Sequence, residues 1–266
     1  MSGAHGSPGE RPACFPDLRG QAVLVTGGGT GIGRGIAQRL AREGMRVAIC
    51  GRRPGPLEET AGLIAAAGGE AVWAPADVGD PEQAPNLFAQ ITARLGPVDA
   101  VVHNAMRMAF PTFEDCTLEE WEASFATGTR AAFLLAKHAL PGMRERGRGA
   151  FVLVSSVLAQ RPNRRGLPYH AVKGALEAMT RQMAIAWARE GIRVNALAPG
   201  LIAAGRSFSR QEAAHEAIPL GRAGTPAEMG AVVAFLLSEQ SSYIVGQVIH
   251  ADGGTSIQLA PAGIPL

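Results

Sequence analysis

The fold of this chain is indicated by the segment Ala22-Val23-Leu24-Val25-Thr26-Gly27-Gly28-Gly29-Thr30-Gly31-Ile32-Gly33. It begins with a short apolar run typical of a buried parallel strand, and the glycines follow directly. Residues 32–43 then show the spacing of an amphipathic helix. A glycine turn between strand and helix lets the backbone approach a pyrophosphate, and the helix N-terminus attracts the same anion. The segment therefore predicts a dinucleotide site at the first strand-to-helix turn.

Strand-like and helix-like segments alternate along the rest of the chain. Strands are predicted at residues 22–25, 46–50, 71–74, 98–103, 151–154, 193–197 and 247–250. Helices are predicted at residues 32–43, 57–67, 81–95, 118–145, 169–190 and 226–237, the fourth with a break near Pro141-Gly142. This alternation favours an α/β fold with one open parallel sheet, covered by helices on both faces. Ligands of such sheets bind at the carboxyl ends of the strands.

Composition and charge exclude several classes of function. The chain is 47% hydrophobic and 18% charged, and its formal net charge is +2, so nothing demands nucleic acid or an anionic membrane. No apolar stretch is long enough to span a membrane. Residues 1–17 lack the apolar core of a signal peptide and are predicted to be a disordered tail. Cys14, Cys50 and Cys116 show no metal or disulfide spacing, which predicts a reduced cytoplasmic protein without a metal site.

The end of the second strand bears on the choice between NAD and NADP. An acidic residue there would bind the adenine ribose diol and select NAD. The chain instead carries Arg52 and Arg53, whose guanidinium groups suit a 2′-phosphate. NADP(H) is therefore favoured over NAD(H). Asp77, with Val78 beside it, is a candidate to meet the adenine edge. An ordinary helix N-cap is the alternative role, and the two roles can coexist.

Three side chains form a candidate catalytic constellation. Tyr169 and Lys173 lie four residues apart on a predicted helix and so share one face, and Ser156 follows the fifth strand. A nearby ammonium lowers the pKa of a phenol and makes it a better proton donor near neutral pH. The Ser156 hydroxyl is suited to hold a substrate carbonyl. Together they favour hydride delivery to a ketone, with Tyr169 as the acid.

These motifs resemble those of the short-chain dehydrogenase/reductase family over residues 19–255. The resemblance rests on the glycine loop, on Ser156, Tyr169 and Lys173, and on Asn104-Ala105, Pro199-Gly200 and Asp252-Gly253-Gly254. It implies a single-domain Rossmann-type, doubly wound sandwich over residues 18–266, with a seven-stranded parallel sheet and a substrate lid at about 201–224. It also implies a homotetramer or homodimer built through the helices that contain Phe133 and Tyr169.

The resemblance further implies which residues contact a nicotinamide cofactor. In that family the lysine, here Lys173, also bonds the nicotinamide ribose. The whole set of implied cofactor contacts is Gly27, Gly29, Thr30, Gly31, Ile32, Gly33, Arg52, Arg53, Asp77, Val78, Asn104, Ala105, Tyr169, Lys173, Pro199, Gly200 and Ile202.

Three positions depart from the family pattern. Met106 stands where many members have glycine. Gly128 replaces an asparagine that anchors a relay water, and Thr127, Thr129 or a water is left to substitute for it. Ala204 replaces a threonine that bonds the carboxamide.

The activity expected from the sequence is an NADPH-dependent ketoreductase or alcohol dehydrogenase acting on a small molecule. The mouth of the active site is expected to favour an apolar or aromatic substrate, since the residues there are Met106, Met108, Phe110, Leu158 and Pro162. One alternative is an enoyl- or dienoyl-thioester reductase of the same family. The other is a cofactor-binding regulatory protein with weak catalysis, which the departures at Gly128 and Ala204 motivate.

Overall fold

The computed structural model describes residues 15–204 and 218–258 and contains a seven-stranded sheet. The strands are β1 Ala22–Thr26, β2 Arg46–Gly51, β3 Glu70–Pro75, β4 Ala100–His103, β5 Gly149–Val154, β6 Ile192–Pro199 and β7 Val248–Ala251. Every neighbouring pair is parallel, in the order β3-β2-β1-β4-β5-β6-β7. This confirms the predicted doubly wound α/β fold. The order reverses between β1 and β4, which is where such sheets bind ligands.

Helices cover both faces of the sheet and bury two separate cores. They are α1 Gly31–Arg42, α2 Pro54–Ala66, α3 Gln83–Leu95, α4 Leu118–Phe125, α5 Ala131–Arg146, α6 Leu167–Trp187 and α7 Pro226–Leu237. Apolar residues of α1, α2 and α7 pack on one face of the sheet, and those of α3, α5 and α6 pack on the other. The central strands are therefore buried on both faces, which explains their continuous apolar sequences.

The break in the long helix lies elsewhere than predicted. Pro141 lies inside α5 and has no N–H to donate to the carbonyl of Lys137, four residues back. Both residues are exposed to solvent. The continuity is lost instead at the π-helical turn Ala126–Arg130, here called the π turn, between α4 and α5. π-helical turns are rare and often mark functional sites. This one lies beside the candidate active site.

The ends of the predicted domain are described in part. Phe15 is buried, its N–H donates to Glu43 Oε2 at 2.9 Å, and Pro16–Leu18 form a short 3-10 helix. Phe15 of the predicted tail is thus packed on the domain, and residues 1–14 lie outside the described part. Of the predicted lid, residues 205–217 lie outside it as well. Among the described residues, no helix is long and apolar enough to cross a membrane.

Candidate active site

The glycine loop closes tightly between β1 and α1. A Cβ on Gly33 would lie 2.2 Å from the carbonyl oxygen of Gly27, so only glycine fits there. Asn104, after β4, donates from its amide to the carbonyl oxygen of Thr26 at 3.1 Å. The loop is therefore fixed to the neighbouring strand, and α1 begins at Gly31 with its N-terminus at the sheet edge.

The loop is also held from the side by residues that the sequence analysis did not single out. The Arg34 guanidinium donates to the carbonyl oxygen of Gly29 at 2.9 Å and pairs with Glu59 at 2.7 Å. The buried Thr60 hydroxyl lies 3.1 Å from the same carbonyl oxygen. No local sequence pattern predicts these contacts, because they depend on how α2 packs against the loop.

A cleft at the switch between β1 and β4 brings together much of the predicted cofactor set. Its lining includes Gly27, Gly29, Thr30, Arg52, Arg53, Asp77, Val78 and Ala105. Residues not singled out as cofactor contacts, among them Gly51, Pro56, Leu57, Met106 and Thr127, complete the wall. Four other predicted cofactor contacts lie outside this lining and support the glycine loop: Gly31, Ile32, Gly33 and Asn104.

The two arginines predicted to select NADP lie exposed at this cleft. Within the part of the chain that the structure describes, neither guanidinium makes a hydrogen bond or ion pair. Arg53 is also the N-cap residue of α2, so the positive end of that helix points the same way. Unpartnered guanidinium groups beside a helix N-terminus fit the 2′-phosphate of NADP(H).

Asp77 is not the N-cap of the following helix. Its carboxylate accepts from the Gly79 N–H at 2.9 Å, whereas α3 begins at Gln83 with Glu82 as its N-cap residue. The helix-cap alternative is therefore wrong, because four residues of turn intervene between Asp77 and Glu82. Asp77 remains on the cleft wall, beside the two arginines.

Ser156, Tyr169 and Lys173 come together at the carboxyl edge of β5. Ser156 is buried and its Oγ accepts from the Leu158 N–H at 3.2 Å. Its side chain faces Tyr169, which lies in the first turn of α6. Lys173 is one turn further along, with its Nζ 5.4 Å from the Tyr169 ring centroid and donating to the Val154 carbonyl at 2.6 Å.

The charges of this group differ from the sequence expectation. Burial raises the pKa of the Tyr169 phenol, and the hydrogen bond from Ser156 opposes that rise. Burial lowers the pKa of Lys173 to about 7. The predicted lowering of the tyrosine pKa by the ammonium is not found, because the buried amine itself holds its proton weakly. The phenol stays protonated at neutral pH, as a proton donor must.

Phe110 packs on the candidate acid. Its ring centroid lies 5.1 Å from that of Tyr169, in a loop that crosses from β4 to α4. The Gly166 N–H donates to the Pro111 carbonyl at 2.8 Å and so fastens this loop to the start of α6. Of the other expected mouth residues, Met106 and Leu158 are half-buried, whereas Met108 and Pro162 are exposed. The mouth is thus largely apolar near Tyr169.

The position of the missing family asparagine is filled by its neighbours. A Cβ on Gly128, in the π turn, would lie 2.2 Å from Val172 Cγ1 and 3.5 Å from Met106 Sδ. The hydroxyls of Thr127 and Thr129 donate to helix carbonyls one turn back, at 3.0 and 2.9 Å. The hydroxyl protons of both threonines are therefore used within the helix, and neither threonine replaces the asparagine that anchors the relay water in the family.

The Pro199-Gly200 segment lies at the end of β6, away from the cleft lining described above. The Gly200 N–H donates to the Ala251 carbonyl at 3.1 Å, and Ile202 is buried in a bridge with Gly224. A Cβ on Gly31 would touch the Cβ of Ala204 at 3.4 Å, so the base of the predicted lid reaches the glycine loop. The described residues contain no cluster of His, Cys, Asp or Glu able to hold a metal ion.

Comparison with known proteins agrees with this geometry. A family model described as Enoyl-(Acyl carrier protein) reductase matches residues 27–256. Human dehydrogenase/reductase SDR family member 4 is 34% identical over 251 residues, covering 91% of this chain and 90% of that protein. Glucose 1-dehydrogenase 2 of Bacillus subtilis is 34% identical over 252 residues, covering 91% of this chain and 97% of that protein.

The similarity extends to solved structures. A short-chain type dehydrogenase/reductase from Mycobacterium marinum superposes with a TM-score of 0.85 at 33% identity, covering 92% of this chain and 98% of that one. Fold, cleft and matches define an oxidoreductase that uses a nicotinamide cofactor on alcohol or carbonyl substrates. The chain belongs to the short-chain dehydrogenase/reductase family.

Proposed function

We propose that the protein is an NADPH-dependent ketoreductase, or alcohol dehydrogenase in the reverse direction, with Tyr169 as its acid/base. The observation that supports this most is the grouping at the end of β5. There the buried Tyr169 phenol faces the buried Ser156 side chain, with the Lys173 amine one helical turn away and 5.4 Å from the Tyr169 ring centroid. When bound, the nicotinamide supplies or accepts a hydride.

Each side chain has a distinct task in this proposal. The Leu158 N–H occupies one lone pair of Ser156 Oγ, and a bound carbonyl oxygen would take the hydroxyl proton that otherwise faces Tyr169. By this hydrogen bond Ser156 orients the carbonyl, and Tyr169 donates its proton to the developing alkoxide. Lys173 supplies positive charge below its pKa of about 7 and binds the ribose as in relatives of the family.

NADPH is preferred over NADH in this proposal because of Arg52 and Arg53. Both are exposed at the cleft, and the acidic residue that would select NAD is absent after β2. The other proposed contacts are the residues of the glycine loop, Asp77 and Val78, Asn104 and Ala105, Tyr169 and Lys173, and Pro199, Gly200 and Ile202.

The substrate is proposed to be a small apolar or aromatic carbonyl compound. Phe110 covers one side of Tyr169, and Met106 lies against the π turn, so a polar substrate would lose hydration without gaining hydrogen bonds there. Residues 201–224 are proposed as the lid. Their described ends, 201–204 and 218–224, flank the Gly31 side of the cleft and Gly253.

A second candidate is an enoyl-thioester reductase. The description of the matching family model favours it, since it names an acyl-carrier enoyl reductase. Such an enzyme delivers hydride to a carbon–carbon double bond, and the proton then goes to carbon. The placement of the Ser156 side chain against Tyr169 favours the carbonyl instead, because two hydroxyls side by side suit an oxygen that is to be protonated.

A homotetramer or homodimer in the cytoplasm is proposed as the working form. Phe133 on α5 and Ile185 on α6 are 56% and 84% exposed, on the helices that the family resemblance assigns to the subunit interface. Cys50 and Cys116 are free thiols, as expected in a reducing compartment.

The activity is tested by following consumption of NADPH, and separately of NADH, with a panel of carbonyl compounds. The panel contains aliphatic and aromatic ketones, quinones, 3-oxoacyl thioesters and enoyl thioesters. We expect turnover with NADPH on at least one ketone class. Turnover on enoyl thioesters alone would favour the second candidate, and tight NADPH binding without any turnover would favour a regulatory protein.

A further inference from the structure

A buried histidine connects the glycine loop to the π turn. His103, the last residue of β4, is fully buried. Its Nδ1 lies 3.0 Å from Thr26 Oγ1, and its Nε2 lies 2.9 Å from the carbonyl oxygen of Gly128. Many members of the family have asparagine at this position. The ring therefore spans from the end of β1 to the turn that packs against the catalytic helix.

Donor and acceptor counting fixes the tautomer of this ring. Thr26 Oγ1 accepts from the N–H groups of Asn104 and Ala105, both at 3.0 Å, so both of its lone pairs are occupied. Its own proton must then go to His103 Nδ1, and Nε2 carries the ring proton. The Nε2–H donates to the Gly128 carbonyl. Burial, with the Lys173 charge as a second cause, lowers the pKa of His103 to about 4 and keeps the ring neutral.

The π turn lies against groups that the proposed mechanism uses. Gly128 faces Val172, the residue just before Lys173 on α6, at a distance that admits no side chain on residue 128. On its other side, Arg130 Nε donates to the Gly79 carbonyl at 2.8 Å. The turn is thus held by one hydrogen bond from each of these neighbours, and Val172 of α6 fills the space beside Gly128.

We propose that His103 is a positioning residue, which holds the Gly128 peptide so that α6 presents Tyr169 and Lys173 correctly to the substrate. It touches neither substrate nor cofactor in this account. It does by a backbone hydrogen bond what a side chain on residue 128 cannot do, since Val172 occupies that space. The inference rests on the proposed function, because it assigns the reaction to Tyr169.

The consequence is a loss of turnover without a loss of cofactor binding. When His103 is changed, Thr26 keeps its bonds to Asn104 and Ala105, so the glycine loop stays fixed. The π turn loses its hydrogen bond, and the Thr26 hydroxyl loses its acceptor unless the new side chain replaces Nδ1. An account in which His103 merely stabilises the fold predicts instead that the melting temperature changes while kcat and KM stay the same.

Two amide variants separate the two hydrogen bonds of the ring. The amide oxygen of His103→Asn replaces Nδ1 and keeps Thr26 bonded, but its side chain is too short for Gly128. The amide nitrogen of His103→Gln replaces Nε2 and keeps the bond to Gly128. We expect kcat of His103→Asn to fall about tenfold, with the NADPH dissociation constant within about twofold of the parent. His103→Gln is expected to retain kcat within about threefold.

Asn195→Ala is the matched control, because Asn195 is equally buried and hydrogen-bonded but lies in β6 near the loop before β7. It should lower the melting temperature without changing kcat. Parental kcat in His103→Asn, or an equal loss in both amide variants, would overturn the proposal.

A second measurement uses the unaltered protein and does not depend on activity or on the folding of any variant. ¹⁵N NMR of the histidine rings should show His103 protonated at Nε2 only, with no titration between about pH 5 and 8. A proton on Nδ1, or titration in this range, would overturn the proposal even if the protein reduces carbonyls. Absence of turnover on every carbonyl, with the expected NMR spectrum, would instead refute the proposed function.

Discussion

The cofactor cleft and the catalytic group lie side by side but are built in opposite ways. In the cleft, Arg52 and Arg53 are exposed and have no partners among the described residues. In the catalytic group Ser156 and Lys173 are buried, as is the supporting His103, and each makes a hydrogen bond inside the protein. The first region offers charge to a ligand, whereas the second holds polar groups whose charging is costly.

This difference separates two kinds of sensitivity. Changes at the exposed arginines should alter affinity and its dependence on salt, and leave the fold unaffected. Changes at the buried groups should alter turnover, stability and their dependence on pH. The predictions below set one region against the other.

The largest effect is expected from Tyr169→Phe. Removing the only phenolic proton of the catalytic group should lower kcat by about 10³-fold, while the NADPH dissociation constant changes less than about threefold. Steady-state kinetics and fluorescence titration of bound NADPH measure the two quantities. Tyr243→Phe is the control, because that tyrosine is fully exposed on a distant loop. Retention of more than a tenth of the activity would remove Tyr169 from its proposed role.

The double variant Arg52→Ala/Arg53→Ala should act on affinity instead. Loss of two charge-assisted contacts is expected to weaken NADPH binding about 30-fold and to leave NADH binding and the melting temperature almost unchanged. Repeating the titration at high salt should shrink the difference between parent and variant. Arg42→Ala, an exposed arginine at the far end of α1, controls for net charge. An equal loss for NADH would show that these arginines do not read the 2′-phosphate.

Glycine-to-alanine changes compare a crowded and an open site in neighbouring elements. Gly128→Ala places a Cβ 2.2 Å from Val172 Cγ1 and is expected to lower the free energy of unfolding by about 1–3 kcal/mol. Gly174→Ala, on α6 with nothing within 4 Å of its added Cβ, should raise it by about 0.5–1 kcal/mol. Chemical denaturation measures both. Similar effects of the two variants on the free energy of unfolding would mean that Val172 does not fill the space beside Gly128.

The smallest effect near neutral pH is expected in the pH dependence of stability. The folded-state pKa of His103 is about 4, below its unfolded value of about 6.5, so its neutral form is favoured in the fold. Stability is therefore full above pH 6.5 and falls towards pH 4, by up to about 1.4 kcal/mol per pH unit from this group. Denaturation at several pH values should show a shallower loss for His103→Gln. Parallel curves for parent and variant would place the ring outside the buried network.

The parts of this protein that could be predicted from sequence are those fixed by short-range spacing. The strands follow from short apolar runs, the glycine loop from its glycines directly after the first strand, and the Tyr169–Lys173 pair from a spacing of four residues on a helix. The contacts of Arg34 with Gly29 and of His103 with Gly128 could not, because they join residues from separate elements. The weakened basicity of Lys173 depends on burial, which no local pattern reveals.

The central claim, hydride transfer from NADPH to a carbonyl carbon, is tested most directly by isotope transfer. The protein is given NADPH deuterated at the reactive nicotinamide carbon together with the best ketone of the panel, and the product is analysed by mass spectrometry and NMR. We predict one deuterium on the new carbinol carbon, and none with Tyr169→Phe in the same time. Deuterium on a carbon beta to a retained carbonyl, or no deuterium in any product, would contradict the assignment.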